Sequence, residues 1–101
     1  MSTLQQKVEA IEKVGAGEAA DQALHKLMHL HMQRYERQIA AVQRELAPFE
    51  QQYGLSSAEC HQRFLAGVMG DSADIMEWMG LYEDVLLYQE RLDTLRTATE
   101  A

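Results

Sequence analysis

The chain has 101 residues, of which 47% are hydrophobic, and its 16 acidic and 9 basic residues give a net charge of −7. This length suits one domain with a modest core, and the single Cys60 excludes an intramolecular disulfide. No apolar run approaches the roughly 20 residues of a membrane-spanning helix. The first residues, MSTLQQKVEAIEKV, lack the uninterrupted apolar core of a secretory signal. We therefore expect a soluble, cytoplasmic protein.

The negative charge is unevenly distributed along the chain. Residues 1–47 carry six acids and six basic residues, whereas residues 48–101 carry ten acids and three arginines. Such a field repels nucleic acid and lipid headgroups and attracts a basic partner. We therefore expect no direct binding to nucleic acid or membranes.

Helix-favouring residues dominate the composition, and only one proline is present. A first helix is predicted from about Thr3 to Val14, ending at the flexible joint of residues 15–17. A second is predicted from about Glu18 to Tyr53. Its apolar residues follow steps of four and three, which is typical of a heptad seam: Met28, Met32, Tyr35, Ile39, Val42, Leu46, Phe49 and Tyr53. Pro48 removes one backbone hydrogen bond, so we expect a kink or break near Glu45.

The third helix is indicated by its start. Gly54 suits the left-handed position that follows a helix, and Ser56 with Glu59 matches a capping box. Leu55 is expected to pack against Cys60 as a hydrophobic staple. The helix is predicted to be short and to stop at residue 67.

The fourth helix is predicted to begin with Asp71 as its N-cap, followed by Asp74 in the first turn, and to reach about Thr97. Its apolar residues form a second heptad seam and an adjoining stripe: Trp78, Leu81, Val85, Tyr88, Leu92 and Leu95 in the seam, and Ile75, Met79, Tyr82 and Leu86 in the stripe. Together they cover an arc of roughly 200°, which is broader than packing on one side requires.

Two long seams joined by a short helix predict an all-α antiparallel hairpin with coiled-coil-like packing. We divide the chain into an N-terminal helix with its joint, residues 1–17, and a hairpin domain, residues 18–101. The surplus apolar surface predicts burial by another chain. Homodimers are the commonest oligomers, so a self-dimerising bundle is the first expectation and a different protein partner the alternative.

Two histidines are spaced as metal ligands on a helix would be. His25 and His29 are four residues apart, which places both imidazoles on one face, as zinc ligands require. No cysteine or acid at ligand spacing completes the set, so we interpret them as ordinary surface or seam residues and predict no metal site.

Paired acids on the fourth helix, Asp74 with Glu77 and Glu90 with Asp93, resemble the magnesium-binding motifs of all-α nucleotide pyrophosphohydrolases. On one continuous helix the pairs lie roughly 24 Å apart, too far for one ion to bridge. A magnesium-dependent pyrophosphohydrolase therefore remains only a third alternative. Cys60 has no base beside it, so we predict no catalytic residue and no cofactor.

Residues 49–78, FEQQYGLSSAECHQRFLAGVMGDSADIMEW, resemble a pattern found in small helical proteins of bacteria and archaea. The matching residues are Tyr53, Gly54, Ser56, Ser57, Glu59, Phe64, Gly67, Asp71, Asp74, Glu77 and Trp78. The match covers about a third of the chain and departs from the pattern at Cys60 and Met69. These proteins are TumA-like antitoxins of toxin-antitoxin pairs, whose partner is a small RNase-type toxin.

The resemblance implies a non-catalytic protein that binds and neutralises a basic toxin. Trp78 is then predicted to anchor the partner, with charges from the neighbouring acids and exposed apolar side chains beside it. The predicted partner-binding residues are Trp78, Asp71, Asp74, Glu77, Met76 and Leu87. A structural homodimer without a toxin is the alternative function.

Overall fold

The computed structural model describes residues 1–100, which form four α-helices and no β-strand. They are α1 (Leu4–Lys13), α2 (Gly17–Tyr53), α3 (Ser57–Leu65) and α4 (Ala73–Glu100). The predicted all-α class is confirmed. None of these helices combines the length and the apolarity that crossing a membrane requires, within the part of the chain described.

The long helices α2 and α4 pack against each other and run antiparallel. Near one end, the rings of Phe49 and Trp78 stack with centroids 5.8 Å apart. Near the other, Arg96 donates a 3.2 Å hydrogen bond to Glu36. Residue numbers therefore fall along α2 as they rise along α4, and the predicted helical hairpin is formed.

The core follows the predicted seams closely. The buried apolar side chains are Ile39, Leu46, Cys60, Ile75, Trp78, Met79, Val85 and Leu92. The half-buried members of the seams are Met28, Met32, Tyr35, Val42, Phe49, Leu81, Tyr88 and Leu95. Tyr53, at the end of the first seam, is exposed. Burial is thus concentrated where α2, α3 and α4 meet.

The expectation near Glu45 was a kink or a break; helix α2 continues through Pro48, so the break does not occur. A proline inside a helix costs about 3 kcal/mol or more. However, Leu46 is buried and Phe49 packs against the same core, so both sides of the proline are held against α4. This packing keeps the two halves of α2 in one helix.

Two of the predicted helix caps are corrected by the structure. The Ser56 hydroxyl accepts from the Glu59 amide at 3.1 Å, and only this half of the predicted capping box is present among residues 1–100. Helix α4 is capped by Ser72, whose hydroxyl accepts from the Ile75 amide at 3.3 Å, and not by Asp71. Ser72 lies three residues before a free first-turn amide, which is the spacing that a capping side chain needs.

Helix α1 folds back beside the start of α2. Thr3 and Gln6 form a complete capping box, which the sequence analysis missed, and Gly15 has a positive φ of 80° in the joint. The molecule is 59 Å long, close to the roughly 55 Å of α2 alone, so α1 cannot extend that axis. It contacts α2 but has no buried residue.

Candidate protein-binding surfaces

A hydrogen-bond network links the end of α2, the start of α3 and the indole of α4. The Glu50 carboxylate accepts from the Ser57 amide and from the Ser57 hydroxyl, both at 2.9 Å. The same hydroxyl accepts from Trp78 Nε1 at 2.9 Å. A charged acceptor strengthens such bonds, so the network holds the three helices in one arrangement.

Trp78 lies at the centre of this junction and is 0% exposed. Its indole stacks with Phe49 and with Tyr53, at centroid distances of 5.8 Å and 5.3 Å. The predicted role of Trp78 as a surface anchor is therefore wrong for this conformation. The large apolar area of its indole is buried within the chain, because two aromatic rings of α2 stack against it near the start of α4.

The other predicted residues at the start of α4, Asp71, Asp74, Met76 and Glu77, are all exposed. The end of α3 and the segment that joins it to α4 add two more exposed apolar side chains, Leu65 at 69% and Val68 at 70%. We define the connector surface by its members: Leu65, Val68, Asp71, Asp74, Met76 and Glu77. It carries three acids and three large apolar side chains within 13 residues of sequence.

Two left-handed glycines shape the connector. Gly67 and Gly70 have φ values of 79° and 75°, which residues with a Cβ adopt only with strain. They lie on either side of Val68 and Met69, of which Val68 is exposed to solvent. No signal in the sequence separated Leu65 and Val68 from Phe64 and Met69, which lie in the same stretch but pack against the core.

Leu87 is exposed, as predicted, but lies far from the rest of the predicted partner surface. It is 11 residues beyond Met76 on α4, which corresponds to about 16 Å along the helix axis. Gly80, between them, has no neighbouring atom within 4 Å of an added Cβ, so no part of the chain approaches it closely. Leu87 belongs to the outer face of α4 and not to the connector surface.

A second exposed apolar surface lies at the opposite end of the molecule. We call it the arm surface; its members on α1 and on the first half of α2 are Leu4, Ile11, Val14, Leu24, Leu27 and Leu30. Leu4 and Ile11 lie on one apolar stripe of the first helix in the sequence, whereas the three leucines of α2 were not singled out because the predicted seam began at Met28. An apolar spacing of three residues from Leu24 through Leu30 was the signal available.

The chain exposes more surface than a compact protein of its size. Its accessible area is 7361 Å², whereas a compact monomer of this mass exposes about 5,800 Å². Its radius of gyration is 19.6 Å, against about 13 Å for a compact domain of equal length. The excess of about 1,600 Å² exceeds the roughly 800 Å² that one partner contributes to a standard protein interface.

The carboxylate pairs do not come together in space. Asp74 and Glu77 lie in the first turns of α4, and Glu90 and Asp93 lie on the same uninterrupted helix, so their separation of roughly 24 Å stands. Within residues 1–100, no three His, Cys, Asp or Glu side chains converge on one point.

Cys60 is fully buried, and its burial raises the pKa of the thiol above its ordinary value of 9.0, although the charge of Arg63 opposes the shift. The neighbouring His61 faces α4, with Nε2 3.4 Å from Glu83 and its ring packed on Tyr82. A raised pKa disfavours the thiolate that a nucleophile needs. Cys60 is a core residue, and it lies in the cluster that Leu55 packs against.

Comparison with known proteins adds no assignment: no protein-family model, no curated protein and no solved structure matches the chain.

Proposed function

We propose that the chain is a non-catalytic binding protein and that its connector surface covers a basic protein. The observation that carries this proposal is the combination of three acids and three exposed apolar side chains on one short, glycine-shaped segment. Interfaces combine apolar contact with charged residues that select and orient the partner.

Charge supports a basic partner. Asp71, Asp74 and Glu77 belong to the half of the chain that carries the whole net charge of −7. The connector surface contains no basic residue, and the basic residue nearest to Asp71 in the sequence is Arg63. Opposite charges speed encounter and disfavour wrong partners more than they add affinity.

The apolar side chains supply the contact area. Met76, at 51% exposed, takes the place that the sequence analysis gave to Trp78. Methionine is flexible and polarisable, and it is used on surfaces that adapt to a partner. The resemblance described above narrows the partner to a small RNase-type toxin, which the chain would neutralise by covering it.

The proposal is tested by neutralising the connector acids in one variant, Asp71→Asn, Asp74→Asn and Glu77→Gln. A matched control, Glu9→Gln, Glu18→Gln and Asp21→Asn, makes the same charge change at the other end of the molecule. All six positions are exposed, so both variants should fold, which circular dichroism checks. Each tagged chain is expressed in its host, and captured proteins are quantified by mass spectrometry.

We expect a basic protein to be recovered with the wild type and with the control, and its recovery to fall at least tenfold with the connector variant. If the recovery of the basic protein fell equally with both variants, its binding would depend on the overall charge of the chain and not on the connector surface. Equal recovery with all three chains would contradict binding through the connector surface.

The second candidate function, a structural homodimer, is favoured by the arm surface. Leu27 and Leu30 are exposed on α2, and α1 has no buried residue although it is amphipathic. A second copy laid against this end would bury these side chains and complete a four-helix layer with coiled-coil-like packing.

Self-association is tested separately by sedimentation equilibrium. Leu27→Asp with Leu30→Asp should convert a wild-type dimer into a monomer, while Leu65→Asp with Val68→Asp should leave the dimer intact. A monomeric wild type would contradict self-association without affecting the basic-partner proposal.

A further inference from the structure

His25 and His29 face each other on the exposed side of α2. Their Nε2 atoms lie 3.1 Å apart, and their rings are tilted by 66° with centroids 4.6 Å apart. Both side chains are exposed, so the nitrogen pair is open to solvent and to dissolved ions. The two nitrogens lie one helical turn apart and within hydrogen-bond distance, so one imidazole donates its N–H to the other ring nitrogen, and a bound metal ion would take the place of that proton.

This spacing matches the separation of two imidazole ligands on one metal ion. With metal–nitrogen distances of about 2.0–2.1 Å, two ligands at the tetrahedral angle lie about 3.3–3.4 Å apart. At the right angle of square-planar or octahedral sites, the same bond lengths place them about 2.9 Å apart. The observed 3.1 Å falls between these values, so a small ring rotation would serve either geometry.

We propose that His25 and His29 together bind one divalent late transition-metal ion, such as Cu²⁺, Ni²⁺ or Zn²⁺, through their Nε2 atoms. Imidazole suits these ions, and the affinities of such nitrogen sites rise toward copper. The proposal concerns a site on α2 that is independent of the connector surface and of the proposed function.

The site supplies two protein ligands. No third His, Cys, Asp or Glu joins the pair within residues 1–100, so water completes the coordination sphere of the bound ion. Asp21 lies one turn before His25 and adds negative charge nearby without joining the ligand pair. The resulting ion is accessible and keeps open positions.

The ligand pair also crosses one turn of helix, so the bound ion should stabilise α2 locally. A ligand that binds the folded but not the unfolded chain raises stability in proportion to the logarithm of its concentration over Kd. In the unfolded chain the two imidazoles are not held together, and the ion binds them more weakly.

Isothermal titration of the full, untagged chain with NiCl₂ and with CuCl₂ tests the proposal. The variants are His25→Ala and His29→Ala, and the controls are His31→Ala and His61→Ala, each of which removes one imidazole outside the pair. Alanine favours helix, and His25 and His29 are exposed, so their variants retain the fold.

We expect one ion per chain, tighter binding of Cu²⁺ than of Ni²⁺, and at least tenfold weaker binding in either pair variant. Both controls should bind within about twofold of the wild type, and Ni²⁺ should raise the melting temperature only where the pair is intact. Equal weakening by His29→Ala and His31→Ala, or the absence of saturable binding to the wild type, would overturn the proposal.

Discussion

Trp78 donates a 2.9 Å hydrogen bond from its indole nitrogen to the hydroxyl of Ser57, 21 residues away on another helix. Ser57 in turn donates to the Glu50 carboxylate on α2. One serine therefore connects α2, α3 and α4, and it is the only polar residue buried among residues 1–100. Because Ser57 bonds to residues of both other helices, its substitution should lower the stability of the fold.

Replacing Ser57 by Ala should destabilise the fold by about 1–3 kcal/mol, because a buried donor is left without its partner. Urea unfolding, followed by the fluorescence of Trp78, measures the change. Ser2→Ala, at an exposed position, should stay within about 0.5 kcal/mol of the wild type. A Ser57 variant as stable as this control would contradict the role of the network.

Replacing Trp78 by Ala should cost about 3–5 kcal/mol, because the cavity left between the aromatic rings of α2 cannot close completely. Leu87→Ala removes an exposed side chain of the same helix and should change stability by about 0.5 kcal/mol or less. The comparison uses chemical unfolding at one protein concentration. If the tryptophan variant keeps wild-type stability, Trp78 is not a core residue.

Two glycine substitutions should change stability in opposite directions. Gly54→Ala places a side chain at a φ of 61° and should destabilise by about 1–2 kcal/mol. Gly80→Ala lies within α4, where an added Cβ meets no atom within 4 Å, and should stabilise by about 0.4–1 kcal/mol. Melting temperatures measured by calorimetry should move down and up, respectively. If both melting temperatures moved in the same direction, the backbone conformation described for one of the two glycines would be contradicted.

The raised pKa of the Cys60 thiol predicts a loss of stability at alkaline pH. The folded state holds this proton more tightly than the unfolded state, so stability is fully present below pH 9.0 and falls as pH rises through the folded pKa. Unfolding free energies of the wild type and Cys60→Ala should therefore approach each other as the pH rises above 9.0. Parallel pH profiles for the two proteins would exclude this contribution of the thiol.

Heptad spacing predicted the two long helices and most of the core, and glycine and capping signals predicted the two short helices. Gly54 marked the end of α2 correctly, since a left-handed residue there needs no tertiary information. Helix α4 continues to Glu100, beyond the predicted Thr97, because no helix-breaking residue follows to end it. The Asp71 cap was misplaced because an adjacent serine has equal capping ability, and sequence alone does not decide between them.

The candidate site was only partly predictable. The exposure of Met76 and Leu87 follows from their angles on the helix, which the sequence contains. The burial of Trp78 depends on two rings from α2 and on a hydroxyl from α3, which meet it only once the hairpin forms. The apolar spacing from Leu24 to Leu30 is visible in the sequence, but the exposure of these leucines depends on where α4 ends along α2, which follows from tertiary packing.

The most direct test of the central claim is the native mass of the assembly that elutes when the tagged chain is captured from its host. The proposed function predicts a mass that includes a basic protein in a fixed stoichiometric ratio to the chain. Elution of the chain alone, as a monomer or as its own dimer, would contradict binding of a basic partner.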